Sequence, residues 1–210
     1  MPEADDLMNP VHTPSDSLIY ELPSIVECLR PTELFTRVQP TEIEAGCGDG
    51  SFLVNYAIQH PDRNFIGTER LLGRIRKLDR KGRRAGLRNV RGVRIESAYF
   101  LQYLLPPGLA DALHVYFPDP WPKRKHRRHR LINEGFPALA ARVLRRGGRV
   151  YLRTDDPSYY DQMLEVFRLH AGFELVETPT ELSELQTDFE LEFRAKGIPT
   201  LRAAYARVEG

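Results

Sequence analysis

Four carboxylates recur at one kind of place in this chain, the end of a short apolar, β-branched run. Glu44 lies in TEIEA (41–45), Glu69 closes NFIGTE (64–69), Glu96 follows VRGVRI (90–95), and Asp119 follows ALHVYF (112–117). One such acid is an ordinary solvated turn residue. Four in succession suggest acceptors arranged for one ligand, because open α/β sheets bind ligands beyond the carboxyl ends of their strands. A glycine loop, Gly46-Cys47-Gly48-Asp49-Gly50, follows the first acid. Glycine at alternate positions lets the backbone turn sharply and approach a ligand closely. The dinucleotide fingerprint needs G-x-G-x-x-G. The spacing here is G-x-G-x-G, more typical of S-adenosylmethionine sites, where no pyrophosphate has to be cradled. Glu44, Gly46, Gly48 and Gly50 are candidate cofactor residues, with Glu69 for the ribose hydroxyls and Glu96 for the adenine amino group. Cys47 reads as a small loop residue, since no histidine is evident to activate it.

Asp119 also opens the most densely charged stretch. Pro118, Pro120 and Pro122 alternate with Asp119 and Trp121, and each proline fixes its own φ and pushes its predecessor to extended conformations. A stiff, extended segment is expected. Lys123 to Arg130 then reads KRKHRRHR, six Lys or Arg and two His in eight residues. A rigid carboxylate beside an aromatic ring, opening onto this charge, suggests chemistry next to a polyanion; the plainer alternative is a solvated basic loop. Candidate polyanion contacts are Lys123, Lys125, His126, Arg127, Arg128, His129 and Arg130. A second basic segment, 70–94, holds eleven Lys or Arg against Asp79 alone. Folding could merge the two into one patch.

The elements that must position these residues alternate. Strands are expected at 41–45, 64–69, 90–95, 112–117 and 149–154, with helices at 51–60, 70–85, 97–105 and 131–144, the last ended by Gly147-Gly148. Asp156 before Pro157 reads as a helix N-cap, followed by a helix to about 170 and strands near 173–177 and 200–208. Residues 18–35 read as a short helix or lead-in. Strict alternation predicts a doubly wound, mostly parallel α/β sheet. At 210 residues, 41% hydrophobic and 28% charged, the chain suits one domain at 18–210 behind a flexible acidic tail at 1–17. The tail lacks the apolar core of a signal peptide and no stretch is long enough to span a membrane. Cys28 and Cys47 lack metal-ligand spacing and cannot form a disulfide framework, so no metal and a reducing cytoplasm are expected. Monomer and homodimer are equally open.

From about Glu42 to Arg207 the chain resembles the bacterial tRNA (guanine-N7-)-methyltransferases. PDPWPKRKHRRHRL is close to that family's P-D-P-W-x-K-x-R-H-x-K-R-R segment. EAGCGDG, Ile66-Gly67-Thr68-Glu69, Thr154-Asp155 with Tyr159 beyond, and Thr187-Asp188-Phe189-Glu190 followed by Gly197 support it. The resemblance implies the Rossmann-like fold of the class I S-adenosylmethionine-dependent enzymes. It also implies a cofactor site at Glu44, Glu69, Glu96 and Asp119, and RNA contacts from Lys123, Asp155 and Thr187–Glu190. The implied reaction is methyl transfer to N7 of a variable-loop guanosine in tRNA. Departures are Glu96 where Asp is usual, and Lys125 and His129 where Arg is more usual.

Guanine N7 carries a lone pair and no proton, so no base is needed and alignment does the work. Asp119 is the candidate catalytic group, either stabilising charge on the ring or holding the guanine edge. Trp121 either stacks on a base or packs internally. The alternatives are a methyltransferase for another RNA or a small molecule, and a non-catalytic RNA-binding paralogue.

Overall fold

The computed structural model describes residues 17–208, so the expected tail lies outside the described residues except for Ser17. Strands β2 (Thr41–Ala45), β3 (Asn64–Glu69), β4 (Val90–Arg94), β5 (Ala110–Tyr116) and β6 (Leu144–Thr154) run parallel. A short β1 (Ile19–Tyr20) adds to the edge beside β4. At the other side β8 (Leu201–Arg207) is antiparallel to both β6 and β7 (Phe173–Val176). The order is β1-β4-β3-β2-β5-β6-β8-β7, which reverses direction between β2 and β5. That reversal is the switch point at which such sheets bind ligands. The doubly wound, mostly parallel sheet is as expected.

Every residue of β2 and β3 is buried, as a sheet covered on both faces requires. Helices α2 (Ser51–Gln59), α3 (Leu72–Arg84) and α7 (Thr180–Glu184) bring Phe52, Ile75, Leu78 and Leu182 to one face. The other face is covered by α1 (Pro31–Leu34), α5 (Phe136–Val143) and α6 (Pro157–Arg168), through Leu34, Phe136 and Met163. Also on that face, α4 (Ser97–Tyr99) continues as one π-helical turn, Phe100–Leu104, with Phe100 in the core.

Three expectations change. Residues 18–35 open as strand β1, and only Pro31–Leu34 is helical, since Pro23 and Pro31 interrupt any longer helix. The helix expected from Leu131 starts at Phe136, because Asn133 closes a turn by bonding Arg130 O and Gly135 N. Gly147-Gly148 lie within β6 rather than ending a helix. Ala110 faces Leu144 while Ala112 faces Arg149, so the intervening residues leave the ladder as a bulge, with Gly147 at φ 71°. The segment before β8 holds α7 and α8 (Asp188–Ala195), neither expected from its acid-rich sequence.

Candidate active site

Strands β4, β3, β2 and β5 are adjacent and parallel, so Glu96, Glu69, Glu44 and Asp119 follow one another along one edge of the sheet. Three strand spacings of ~4.8 Å make that row about 14 Å long, the scale of an extended small molecule. The glycine loop crosses its middle. Gly46, Gly48 and Gly50 have φ of 83°, 55° and 77°. A Cβ on Gly50 would lie 2.6 Å from Leu78, so that glycine serves packing against α3. Cβ atoms at Gly46 and Gly48 would meet nothing, so the loop presents bare backbone to open space there.

The acids differ in state. Glu69 is buried; its Oε1 accepts from Leu71 N at 2.8 Å, and Arg74 lies 3.5 Å from Oε2. Glu96 is exposed and caps α4, accepting from Ala98 N and Tyr99 N. Glu44 is 3% exposed, and its Oε2 has no hydrogen-bond partner among the described residues. Burial raises its pKa to about 8; nearby Arg153 pulls it down and Asp49 pushes it up. Burial also pushes the Cys47 thiol well up, aided by Glu44 and Glu69, in keeping with an inert loop residue. Burial pushes the Asp49 pKa up, but the Lys81 hydrogen bond at 2.8 Å, the Lys81 charge and the bonds from Ser51 together hold it below the usual carboxylate range.

Asp119 is exposed, on a segment that is not extended. Phe117 (φ 49°) and Trp121 (φ 42°) are both left-handed, each costing on the order of 1–3 kcal/mol. Phe117 is held by its N–H to Arg153 O at 2.9 Å and by the rings of Phe189 and Phe193. Trp121 packs beside His126 and His129. Arg130 pins the proline segment from below by donating to Pro120 O. Arg130 corrects the sequence reading: it is 1% exposed and turned inward, not available to a polyanion. Its guanidinium donates to Pro120 O, Ser158 O, Ser158 Oγ and Gln162 Oε1, and lies 4.5 Å over the Tyr159 ring. Lys123, Lys125, Arg127, Arg128 and His129 are exposed, His126 is half-buried, and Arg124–His129 form a 3-10 turn.

Thr187 and Glu190 form the capping box of α8, and Glu190 also pairs with Arg153 and Arg202, both at 2.6 Å. Both residues are buried, so the direct RNA contact expected of them is not what the free protein offers. Phe189 is 47% exposed, and Asp188 lies 3.6 Å from Lys81. Asp155 is half-buried at the end of β6, and Asp156 caps α6 through Tyr159 N, as expected. The run after β5 packs toward α6 through Arg130, and α3 lies across the switch point on β3 and β4. They flank the row of acids.

Sequence reasoning missed the polar face beneath the site. Arg153 on β6 lies 4.1 Å over Tyr116 and donates to Glu190, Leu185 O and Leu182 O. Glu42 on β2 binds His114 and Arg63, each at 2.6 Å, and His114 also meets the Tyr116 hydroxyl at 2.8 Å. Two acids in one fully buried strand, Glu42 and Glu44, were the available signal.

A family model described as "Putative methyltransferase" matches residues 38–203. A Thermus thermophilus protein named tRNA (guanine-N(7)-)-methyltransferase is 32% identical over 84% of this chain and 57% of its own length. One of the same name from Saccharophagus degradans is 33% identical over 74% of this chain and 68% of its own. The chain thus spans little more than half of the first relative. In structure it is similar to the 16S rRNA methyltransferase KamB, with a TM-score of 0.59 and 17% identity, covering 85% of this chain and 92% of that one. That likeness concerns the fold alone. By the extent of the family match and by its relatives, the chain belongs to the tRNA (guanine-N7-)-methyltransferase family.

Proposed function

We propose that this protein transfers a methyl group from S-adenosylmethionine to N7 of a guanosine in tRNA, a variable-loop guanosine by the family resemblance. The observation that carries it is the orphaned Glu44 carboxyl at the centre of the row of strand-end acids, above a glycine loop with open space. A buried acceptor without a partner costs about 1–3 kcal/mol, a debt a ligand can relieve. These residues fit the cofactor: Glu44 for its ammonium group, Gly46 and Gly48 for close backbone approach, Glu69 for the ribose hydroxyls, and Glu96 for the adenine edge once its cap bonds rearrange. When bound, the cofactor supplies an electrophilic methyl carbon whose sulfonium charge passes to the base. The protein's own task is alignment, since N7 has no proton to remove. Asp119, exposed beyond β5, faces the charge that develops on the guanine or holds its N1–H and amino edge. Lys123, Lys125, Arg127, Arg128 and His129 meet backbone phosphates, with Asp155 and Phe189 lining the approach. Glu190, through Arg153, holds α8 and Phe117 in place rather than touching RNA. Two free cysteines suit a reducing cytoplasm.

The test is transfer of tritiated methyl from S-adenosylmethionine into bulk tRNA lacking the modification, followed by nucleoside analysis. Label in 7-methylguanosine is expected. Label in another nucleoside, or none, refutes the proposal.

A further inference from the structure

Away from the row of acids, the chain carries a second concentration of cations at the opposite edge of the sheet. Helix α3 begins beyond the carboxyl end of β3 and runs back, over about 20 Å, toward the strand starts. Its last turns, with the residues leading into β4, line a groove of about 620 Å³ that includes Arg80, Arg83, Arg84, Arg88 and Arg91. An adjoining cavity of about 370 Å³ shares Arg88 and adds Arg37. Asn89, which follows Arg88 and lines the adjoining cavity, donates its side-chain amide to the carbonyls of Ala57, His60 and Arg63, tying that cavity to the end of α2.

Among the described residues, acid compensation is nearly absent there. Asp79, the lone acid of segment 70–94, accepts from Ser17 Oγ and Leu18 N and lies 3.9 Å from Arg83. Arg80, Arg84, Arg88 and Arg91 have no carboxylate partner among the described residues. Arg91 is half-buried, lies 5.3 Å over the Phe35 ring and, among the described residues, donates only to the carbonyls of Arg88 and Val90. Burial pulls its pKa down, as a guanidinium without a counter-charge should show. Guanidinium groups gathered this way repel one another and attract a polyanion. They also suit phosphate geometrically, since the planar fork binds two oxygens at once.

We infer that this groove grips backbone phosphates of the RNA substrate, on an arm remote from the base being methylated. The inference rests on the tRNA reading above and deepens it. Catalytic edge and groove lie about 20 Å apart along the strands, well within the ~16 base pairs that a double-stranded-RNA module spans. One folded RNA can therefore touch both. Phosphate contacts position without reading sequence, so the groove would set how the substrate lies while the acid edge selects the base.

The test is the double variant Arg84→Glu/Arg88→Glu, two exposed residues distant from the acids, in the full chain. Removing two phosphate contacts should weaken tRNA binding about tenfold near 0.1 M salt and reduce the slope of log K against log salt by ~1.4–1.8. The single-turnover methylation rate at saturating tRNA should stay within twofold of wild type, as should cofactor affinity. Circular dichroism confirms that the variant folds. If wild type and variant bind tRNA with the same affinity and salt slope, the groove assignment falls and the enzyme assignment stands. If the wild type binds no tRNA, both fall. A wild-type dimer lost in the variant, with tRNA affinity unchanged, would assign the groove to a second copy and overturn the RNA inference.

Discussion

Glu42 and Glu44 sit two residues apart on one face of β2, each 3% exposed, and end in opposite states. Both oxygens of Glu42 are taken by Arg63 and His114, and these partners hold its pKa below the usual range despite burial. Glu44 keeps one oxygen unpartnered, and burial drives its pKa to about 8. Sequence, strand and depth are nearly shared, so the difference lies in which neighbours the fold brings. In the ladder Glu42 lies opposite Ala112 and Glu44 opposite His114, but the His114 ring reaches back to Glu42, and Glu44 is left two residues nearer the switch point, where β2 and β5 part. A buried carboxyl completed inside the protein serves the fold. One left incomplete at a strand end keeps an acceptor free for a ligand, the role proposed above for Glu44.

The largest expected effect comes from breaking the completed member. Glu42→Ala strips His114 and Arg63 of their partner and should cost about 3–5 kcal/mol, as loss of one side of a buried ionic cluster does. Denaturant unfolding measures it. Cofactor affinity per folded molecule should barely move; a large loss would mean that Glu42 too serves the ligand.

Asp119 extends the comparison to a carboxylate that is exposed and, among the described residues, has no hydrogen-bond or ion-pair partner. Asp119→Asn keeps shape but loses the charge, and should lower the single-turnover methylation rate about 10²–10³-fold with tRNA affinity little changed. The pH–rate profile should show no essential base near neutrality, because N7 has no proton to remove. A near-wild-type rate in the Asn variant would reduce Asp119 to a turn residue.

How much of this was legible depended on range. The glycine loop, the strand-end acids and the Asp156 cap are local patterns, and each was read in its place. Arg130 was misread because its identity as a phosphate contact came from its neighbours in a charged run, while its fate was set by Ser158 and Gln162, about 30 residues away. Thr187 and Glu190 show the same limit: the capping box is written at i and i+3, but Arg153 and Arg202 decide that it is buried. The left-handed turns at Phe117 and Trp121 could not be read either, since nothing in a Pro-x-Pro series announces positive φ.

Glu44→Gln sharpens the comparison through pH. Folded Glu44 keeps its proton up to about pH 8, while in the unfolded chain it ionises near its ordinary value of 4.5. Between those values the unfolded state binds fewer protons, so this residue's contribution to stability falls as pH rises. The Gln variant should lose that fall, seen in denaturant titrations without cofactor at pH 5.5, 7 and 8. Cofactor binding should run the other way. An ammonium partner favours the ionised carboxyl, so wild-type affinity should strengthen from pH 6 to 7.5, with proton release on binding. Gln, losing a charged contact of about 1.5–3 kcal/mol, should bind roughly 10–100-fold more weakly with little pH dependence. Calorimetry in buffers of differing ionisation heat reads both. Equal pH dependence in the two proteins would remove Glu44 from the site.

The smallest expected effect belongs to the exposed run, where solvent already satisfies every charge. Lys125→Glu/Arg128→Glu replaces two exposed cations that the fold does not use, so unfolding stability should stay within ~0.5 kcal/mol. If both meet phosphate, the slope of log K against log salt for tRNA should fall by ~1.4–1.8 and affinity by about tenfold. Arg130→Met is the internal control. Its guanidinium holds Pro120 O and α6 rather than RNA, so losing it should leave the salt slope unchanged while loosening the Asp119 segment and lowering the methylation rate. A slope change in Arg130→Met as large as in the exposed pair would return Arg130 to the RNA face. No slope change in either variant would leave Lys125 and Arg128 as solvated charges that serve neither fold nor ligand.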